Sequence, residues 1–253
     1  MSEKILILGA GGREHAMAHK LSTEGVGHEV IVAPGNPGIE KISSVKCHKL
    51  NVSHHEEVIK FSKEKQFDLI IVGPEAPLAA GLGDELRNEG FLVVGPGKIG
   101  AKLESSKAFS KDFMYRHGIP TAQYGSYTEI EKALSDVKTE KFGTNPVIKA
   151  SGLAAGKGVF VCKDLDEAKT SVERLMGEES FSIKSPEIVI EEQLFGNELS
   201  VFALVDESGY KIIGHGEDYK RLEDNDLGPN TGGMGAVFRK GIISQELLQK
   251  IQS

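Results

Sequence analysis

Val147 to Val161 reads VIKASGLAAGKGVFV: an apolar strand that runs into Lys149, a loop of Ser, Gly and Ala that carries Lys157, and a returning strand. The backbone N–H groups of such a loop, with ammonium groups beside it, can close as a flap on phosphate oxygens. The spacing is not that of the commonest phosphate loop, which needs Gly, four residues and then Gly-Lys-Ser/Thr opening a helix. Here Gly152 is followed by three residues, then Gly156, Lys157 and Gly158, and a strand comes next. The same letters also suit a hairpin with solvated lysines. What decides between the two lies elsewhere in the chain.

Upstream, Lys4 to Leu8 is a compact apolar strand, and GAGGREHAMAHKL opens a helix straight after it. The pattern predicts strand 29–33, the turn PGNPG, a short strand near 49–52 and a helix begun by a capping box of Ser53 and Glu56. It continues with strand 67–72, a helix from Leu78 to Asn88 and strand 91–94. Strands alternating with helices imply an open parallel sheet covered on both faces, with ligands at the carboxyl ends of its strands. A dinucleotide fold would want glycine where Glu14 stands and an acidic residue where the second strand ends in Pro34 and Gly35, which disfavours an NAD-linked dehydrogenase. Gly11, Gly12 and Arg13 at the start of the first helix suit a phosphate, and they equally suit a tight turn alone.

From Gly97 to Gly118 the sequence reads as a loop and a helix, with Ser105 and Ser106 as candidate caps and Lys107 placed where it opposes the helix dipole. Pro120 ends that helix and opens a second unit. This unit is expected to contain a strand, a helix over 129–136 capped by Thr128, strand 146–150, the flap, strand 159–162 and an amphipathic helix over 164–176. A composition shift at 177–185 marks a mobile connection. Strands over 187–193, 199–205 and 210–214 follow, the last two as a hairpin about Ser208-Gly209, then a Gly-rich loop and a helix over 244–251.

Across its 253 residues, hydrophobic side chains make up 39% and charged ones 26%, as in an ordinary soluble protein. A net charge of -7 argues against nucleic acid as the main partner. Neither a signal peptide nor a membrane-length apolar run is present, and two cysteines far from metal spacing fit a reducing cytoplasmic compartment.

The layout of strand, Lys, flap, strand, helix and then VIEEQLFGNELSVFAL resembles the ATP-grasp ligases. Within them, GAGGREHA, VAPGNPG, IIVGPEAPL, ESSKAFSKDF, HGIPTA, VIKASGLAAGKGV, VIEEQLFGNE and GPNTGGMGA, in this order, resemble the phosphoribosylamine–glycine ligase family. The resemblance implies an α/β chain: an open parallel pre-ATP-grasp domain over 1–120, a small ATP-grasp subdomain with the flap over 121–193, and the beginning of a larger subdomain over 194–253. It implies ATP-dependent joining of glycine to 5-phosphoribosylamine through a glycyl phosphate. The small molecules glycine, phosphoribosylamine and ATP would be the partners, fusion to further purine-pathway domains would be compatible, and neither nucleic acid nor membrane would be required.

By the same resemblance, Lys107, Lys149 and the flap residues Ser151, Gly152, Gly156, Lys157 and Gly158 would hold the ATP phosphates. Glu191 would accept the adenine amino group, Glu192 and Leu194 would present backbone atoms to the adenine edge, and Glu198 would bind the ribose hydroxyls. Lys149, Asp218 and Arg221 would be the catalytic groups. Gly11, Gly12, Arg13, Glu75, Lys220, Asn230 and Thr231 would contact the other substrates. The family pattern Asp-His-Lys-Arg has Tyr219 here in place of His, so no base is assigned there. No metal ligand is assigned; those for Mg²⁺ or Mn²⁺ are expected beyond Ser253, because the ATP-grasp half that carries them in the family is missing. On that expectation the chain alone is an incomplete ligase, and a non-catalytic nucleotide-binding or regulatory fragment is the alternative.

Overall fold

The run KILILG forms the first strand, β1 (Lys4–Gly9), and its period-two alternation sends Leu6 and Leu8 to one apolar cluster and Ile5 and Ile7 to another on the opposite face. In the computed structural model of the chain, the described residues are 2–23, 27–153, 158–177, 185–225, 227–238 and 241–252. They divide into two compact units, Met1–Ile119 and Pro120–Ser253.

In the first unit, β1 is followed by α1 (Gly12–Thr23), β2 (Glu29–Pro34), a single 3-10 turn at Ile39–Lys41, β3 (Val45–Cys47), α2 (His55–Lys65) and β4 (Leu69–Val72). Then come α3 (Glu75–Ala80), α4 (Leu82–Asn88), β5 (Val93–Val94), α5 (Lys98–Ser105) and α6 (Lys107–Arg116). The five strands pair in parallel in the order β3-β2-β1-β4-β5. The open α/β sheet expected from the alternation is therefore present, and chain order reverses at β1, so the crevice between the ends of β1 and β4 is where sheets of this kind bind ligands.

Several local expectations are corrected. The short strand lies at Val45–Cys47, not 49–52; Leu50 and Val52 instead pack on the core from a loop. Ser53 does not cap α2: its N–H is taken by Asn51 Oδ1 at 3.0 Å, and the helix starts beyond His54. The helix read over 78–88 is two helices, broken at Gly81 with φ of 112°, a conformation glycine adopts without strain. Between Gly97 and Gly118 there are also two helices, and of the two candidate caps it is Ser106 Oγ that accepts the Phe109 N–H, at 3.2 Å.

The second unit begins with β6 (Tyr124–Tyr127), α7 (Ile130–Lys138), β7 (Val147–Ala150), β8 (Val159–Val161), α8 (Leu165–Met176) and β9 (Ile188–Glu191). Thr128 is not the cap of α7, whose first flanking residue is Glu129. Asp164 does cap α8, accepting the Glu167 N–H at 2.8 Å. The strands form an antiparallel sheet, β6-β9-β7-β8. Ile148, Ala150, Ile188 and Ile190 join Ala133, Ala168 and Val172 in a single cluster, so α7 and α8 cover one face. Each fully buried Ile there contributes about 1.5 to 3 kcal/mol.

The chain then forms β10 (Ser200–Asp206), β11 (Gly209–Glu223) and β12 (Leu227–Val237), a three-stranded antiparallel sheet, and α9 (Gln245–Gln252). The hairpin about Ser208-Gly209 is as expected, with Asp206 Oδ1 accepting N–H groups from both turn residues. The region beyond it is not a loop. β11 runs on to Glu223, and PNTGGMG lies within β12. The connection expected to be mobile lies, from 178 to 184, outside the described residues. Among the described residues no helix is long and apolar enough to cross a membrane.

Candidate nucleotide site

A cavity of about 770 Å³ opens on the face of the β6-β9-β7-β8 sheet opposite its helices. Strand alternation places its chemistry: Ile148 and Ile190 go to the core, while Val147, Lys149 and Glu191 line the cavity. Lys149 Nζ pairs with the Glu191 carboxylate across β7 and β9. Glu191 is buried, with 6% of its side chain exposed, against 27% for Lys149. Val159 and Val161 supply an apolar wall, and Leu194 and Phe195 stand exposed at the mouth.

The chain leaving β9 continues along this cavity. Glu192 is fixed to the next segment twice: its N–H donates to the Gln123 carbonyl at 3.0 Å and its carboxylate accepts the Gln123 N–H at 2.8 Å. Glu198 lies further on and pairs with Lys220 of β11. Lys220 also faces Asp218 at 3.3 Å, and Ser200 Oγ donates to Asp218 at 3.3 Å. Hydrogen bonding to Glu198 leads the causes that hold the Lys220 ammonium above its ordinary pKa, with Asp218 adding to it against the cost of burial. The β11–β12 ladder loses register between Tyr219 and Arg221, so Lys220 sits at an irregularity of the kind that re-aims a side chain.

Arg221 also lines the cavity, and it donates to the Gly228 carbonyl at 2.8 Å, tying the β11–β12 hairpin. Thr231 Oγ1 accepts the Gly233 N–H at 3.0 Å; of Asn230 only the strand backbone is described. Of the flap, the two ends are described. Ser151 is buried and its N–H donates to the Glu187 carbonyl at 3.0 Å, while the Gly158 carbonyl accepts the Ala150 N–H at 2.8 Å. A Cβ added at Gly152 would meet nothing within 4 Å. Gly156 and Lys157 lie outside the described residues.

In the first unit, the crevice between β1 and β4 gathers Gly11, Gly12, Arg13 and Glu75. Arg13 donates to Glu75 at 2.8 Å, and that bond is the main cause holding the Glu75 carboxyl below its usual range. Glu14, to which the sequence assigned no site role, accepts the Gly11 N–H at 2.6 Å with its carboxylate buried. The only signal in the sequence was an acid where a dinucleotide motif has glycine. Gly11 N–H is thus occupied from within the chain, whereas a Cβ at Gly12 would meet nothing within 4 Å.

Residues 3–104 match the phosphoribosylglycinamide synthetase N domain, and residues 105–253 match the phosphoribosylglycinamide synthetase ATP-grasp (A) domain. The chain belongs to the phosphoribosylglycinamide synthetase family. The phosphoribosylamine–glycine ligase of Haemophilus influenzae is 43% identical over 247 residues, covering 98% of this chain and 57% of that protein. The human trifunctional purine biosynthetic protein adenosine-3 is 44% identical over 252 residues, all of this chain but 25% of its own length. The crystal structure of phosphoribosylamine–glycine ligase from Thermotoga maritima superposes with a TM-score of 0.79 at 34% identity, covering 98% of this chain and 58% of that one. The chain therefore spans a little over half the length of these bacterial synthetases.

Lys107 falls within the matched ATP-grasp domain. It lies at the first position of α6 in the first compact unit, yet the synthetase ATP-grasp domain begins at residue 105 and so includes it.

Proposed function

We propose that the second-unit cavity binds ATP and that the chain takes part in ATP-dependent joining of glycine to 5-phosphoribosylamine. The observation that carries this reading is the arrangement of Lys149, Glu191, Glu198 and Lys220 around one cavity in a chain of this family. Its volume suits a nucleotide, since ligand sites commonly enclose about 300 to 1,000 Å³.

In this reading Glu191 accepts the adenine amino group. The Glu192 carbonyl and the Leu194 backbone meet the adenine edge, the Glu192 N–H being engaged with Gln123. Leu194 and Phe195 add apolar contact, and Glu198 takes the ribose hydroxyls. Lys149 exchanges Glu191 for phosphate oxygens, and the flap residues complete the phosphate contacts. The γ-phosphoryl group passes from ATP to a glycine carboxylate oxygen, leaving ADP and glycyl phosphate. The amine of phosphoribosylamine then attacks the acyl carbon; the C–N bond forms, phosphate leaves, and the nitrogen loses a proton. Such transfer depends on positioning and charge neutralisation, which Lys149 supplies on the donor side and Lys220 on the acceptor side. Asp218 positions Lys220, and Arg221 holds the hairpin that carries both. Gly12, Arg13 and Glu75 in the first unit are assigned to phosphoribosylamine.

Magnesium or manganese, when bound, would neutralise charge in this chemistry. Of the cavity carboxylates, Glu191 faces Lys149, Glu198 and Asp218 face Lys220, Glu192 accepts the Gln123 N–H and Glu217 accepts the Tyr219 hydroxyl, and among the described residues no cluster of three metal-ligating side chains is present. These residues do not make a metal site, and no step is assigned through one. We also take the compartment to be cytoplasmic, and fusion to further purine-pathway domains to be compatible with this chain.

ADP release measured with Mg²⁺, ATP, glycine and freshly made phosphoribosylamine tests the reading, for this chain and for a version extended past Ser253. Release that requires both glycine and the amine is expected of the extended protein. Release indifferent to glycine would overturn the ligase assignment, and tight ATP binding without release by either protein would favour a nucleotide-binding role.

A further inference from the structure

Glu14 is the third residue of α1 counted from Gly12, and its carboxylate reaches back to the N–H of Gly11, the residue flanking the helix. This is half of a capping box. Capping glutamates ordinarily sit in solvent, but 6% of this side chain is exposed. Its carboxylate is wedged between the end of β1 and the end of β4. A Cβ would come within 2.7 Å of it at Gly9, 2.9 Å at Gly11 and 2.1 Å at Gly73, so the positions at both strand ends that touch it lack side chains. Arg13 Nε lies 3.9 Å from the other carboxylate oxygen.

A Gly-rich β1–α1 turn with free N–H groups at a helix start is an anion seat, and in doubly wound sheets it is where phosphates bind. Here a buried anion belonging to the chain already takes the Gly11 donor and places a negative charge at the helix start. We propose that Glu14 is a specificity-determining residue that keeps phosphate off Gly11 at the β1–α1 turn, so that an acceptor substrate is held by the rest of the turn and not by this amide. Its meaning for substrate choice rests on the proposed function; the exclusion of phosphate is a property of the turn itself.

Amide NMR of the full 253-residue chain, titrated with inorganic phosphate and separately with ribose 5-phosphate, provides the test. In the wild type, the Gly11 amide should show no saturable shift with phosphate. Glu14→Ala should gain saturable phosphate binding at Gly11, tightened about tenfold or more, the scale set by an anion at a helix start. Glu14→Gln keeps most of the wedge and should gain less, and it carries the comparison if the alanine variant does not fold. A saturable wild-type shift at Gly11 overturns the proposal, as does a folded Glu14→Ala chain with no gain. Ribose 5-phosphate shifts at Gly12, Arg13 and Glu75 with Gly11 unmoved support both this proposal and the substrate assignment. Their absence, with phosphate still excluded from Gly11, supports the exclusion and counts against the substrate assignment alone.

Discussion

Lys149 on β7 and Glu191 on β9 meet across an antiparallel strand pair, with the carboxylate buried beneath the ammonium at the floor of the cavity. In the proposed reading ATP breaks this ion pair by bringing a phosphate for the lysine and an amino group for the glutamate. Replacing either residue should then weaken the ligand as well as the pair.

Lys149→Ala should lower ATP affinity far more than Lys60→Ala, which removes an exposed lysine from α2. Loss of a charge-assisted phosphate contact is worth roughly 1.5 to 3 kcal/mol, or about ten- to a hundredfold in Kd. Isothermal titration of both variants with a non-hydrolysable ATP analogue checks this, and equal affinities would remove Lys149 from the site.

Glu198→Ala should erase the preference for ATP over 2′-deoxy-ATP, because its carboxylate is the group assigned to the ribose hydroxyls and its partner Lys220 cannot accept a hydroxyl hydrogen bond. The preference to be lost is on the order of 1 kcal/mol. Competition binding with the two nucleotides reads it, and an unchanged ratio would place the ribose elsewhere.

How far the sequence carries depends on whether a residue's fate is set locally. Leu6, Leu8, Ile148 and Ile190 could be placed because alternation alone assigns their faces. The break at Gly81 was hidden because Leu78, Leu82 and Leu86 keep helical spacing across it and all three are buried on the same core. β12 reads as a turn because Pro229, Asn230 and its glycines disfavour strand; its pairing with β11, a tertiary effect, decides otherwise. Glu191 and Glu198 could be picked out by resemblance, but their lysine partners come from strands distant in sequence. Glu14 escaped for the same reason, since its burial depends on Gly73 of another βα turn.

The Tyr127–Asp136–Lys141 network should make stability fall in acid. Lys141 first, then the Tyr127 hydroxyl at 2.6 Å, hold the Asp136 carboxyl below its usual range. A depressed folded-state pKa contributes stability that is complete above the unfolded value of about 3.9 and disappears as pH falls through the folded one. The melting temperature of Asp136→Asn should therefore lie below wild type at neutral pH and converge with it in strong acid. A difference that does not depend on pH would show that the charge plays no part.

The β10–β11–β12 sheet exposes Phe202, Leu204, Val205 and Ile213. Apolar side chains gathered on one small sheet favour self-association. Sedimentation should show association that rises with concentration and is reduced by Val205→Lys; a monomer at all concentrations for both proteins would contradict this.

The β6-β9-β7-β8 sheet has helices on one face and the cavity on the other, so neighbouring residues on a single strand answer to different demands. A saturation scan along β7 and β9 should accordingly be striped. Changes at Ile148, Ala150, Ile188 and Ile190 should register as loss of folded protein in the cell, and changes at Lys149 and Glu191 chiefly as loss of nucleotide binding. Inherited variation at these six positions would then sort by the face on which each lies into variants that lower abundance and variants that chiefly disable the molecule.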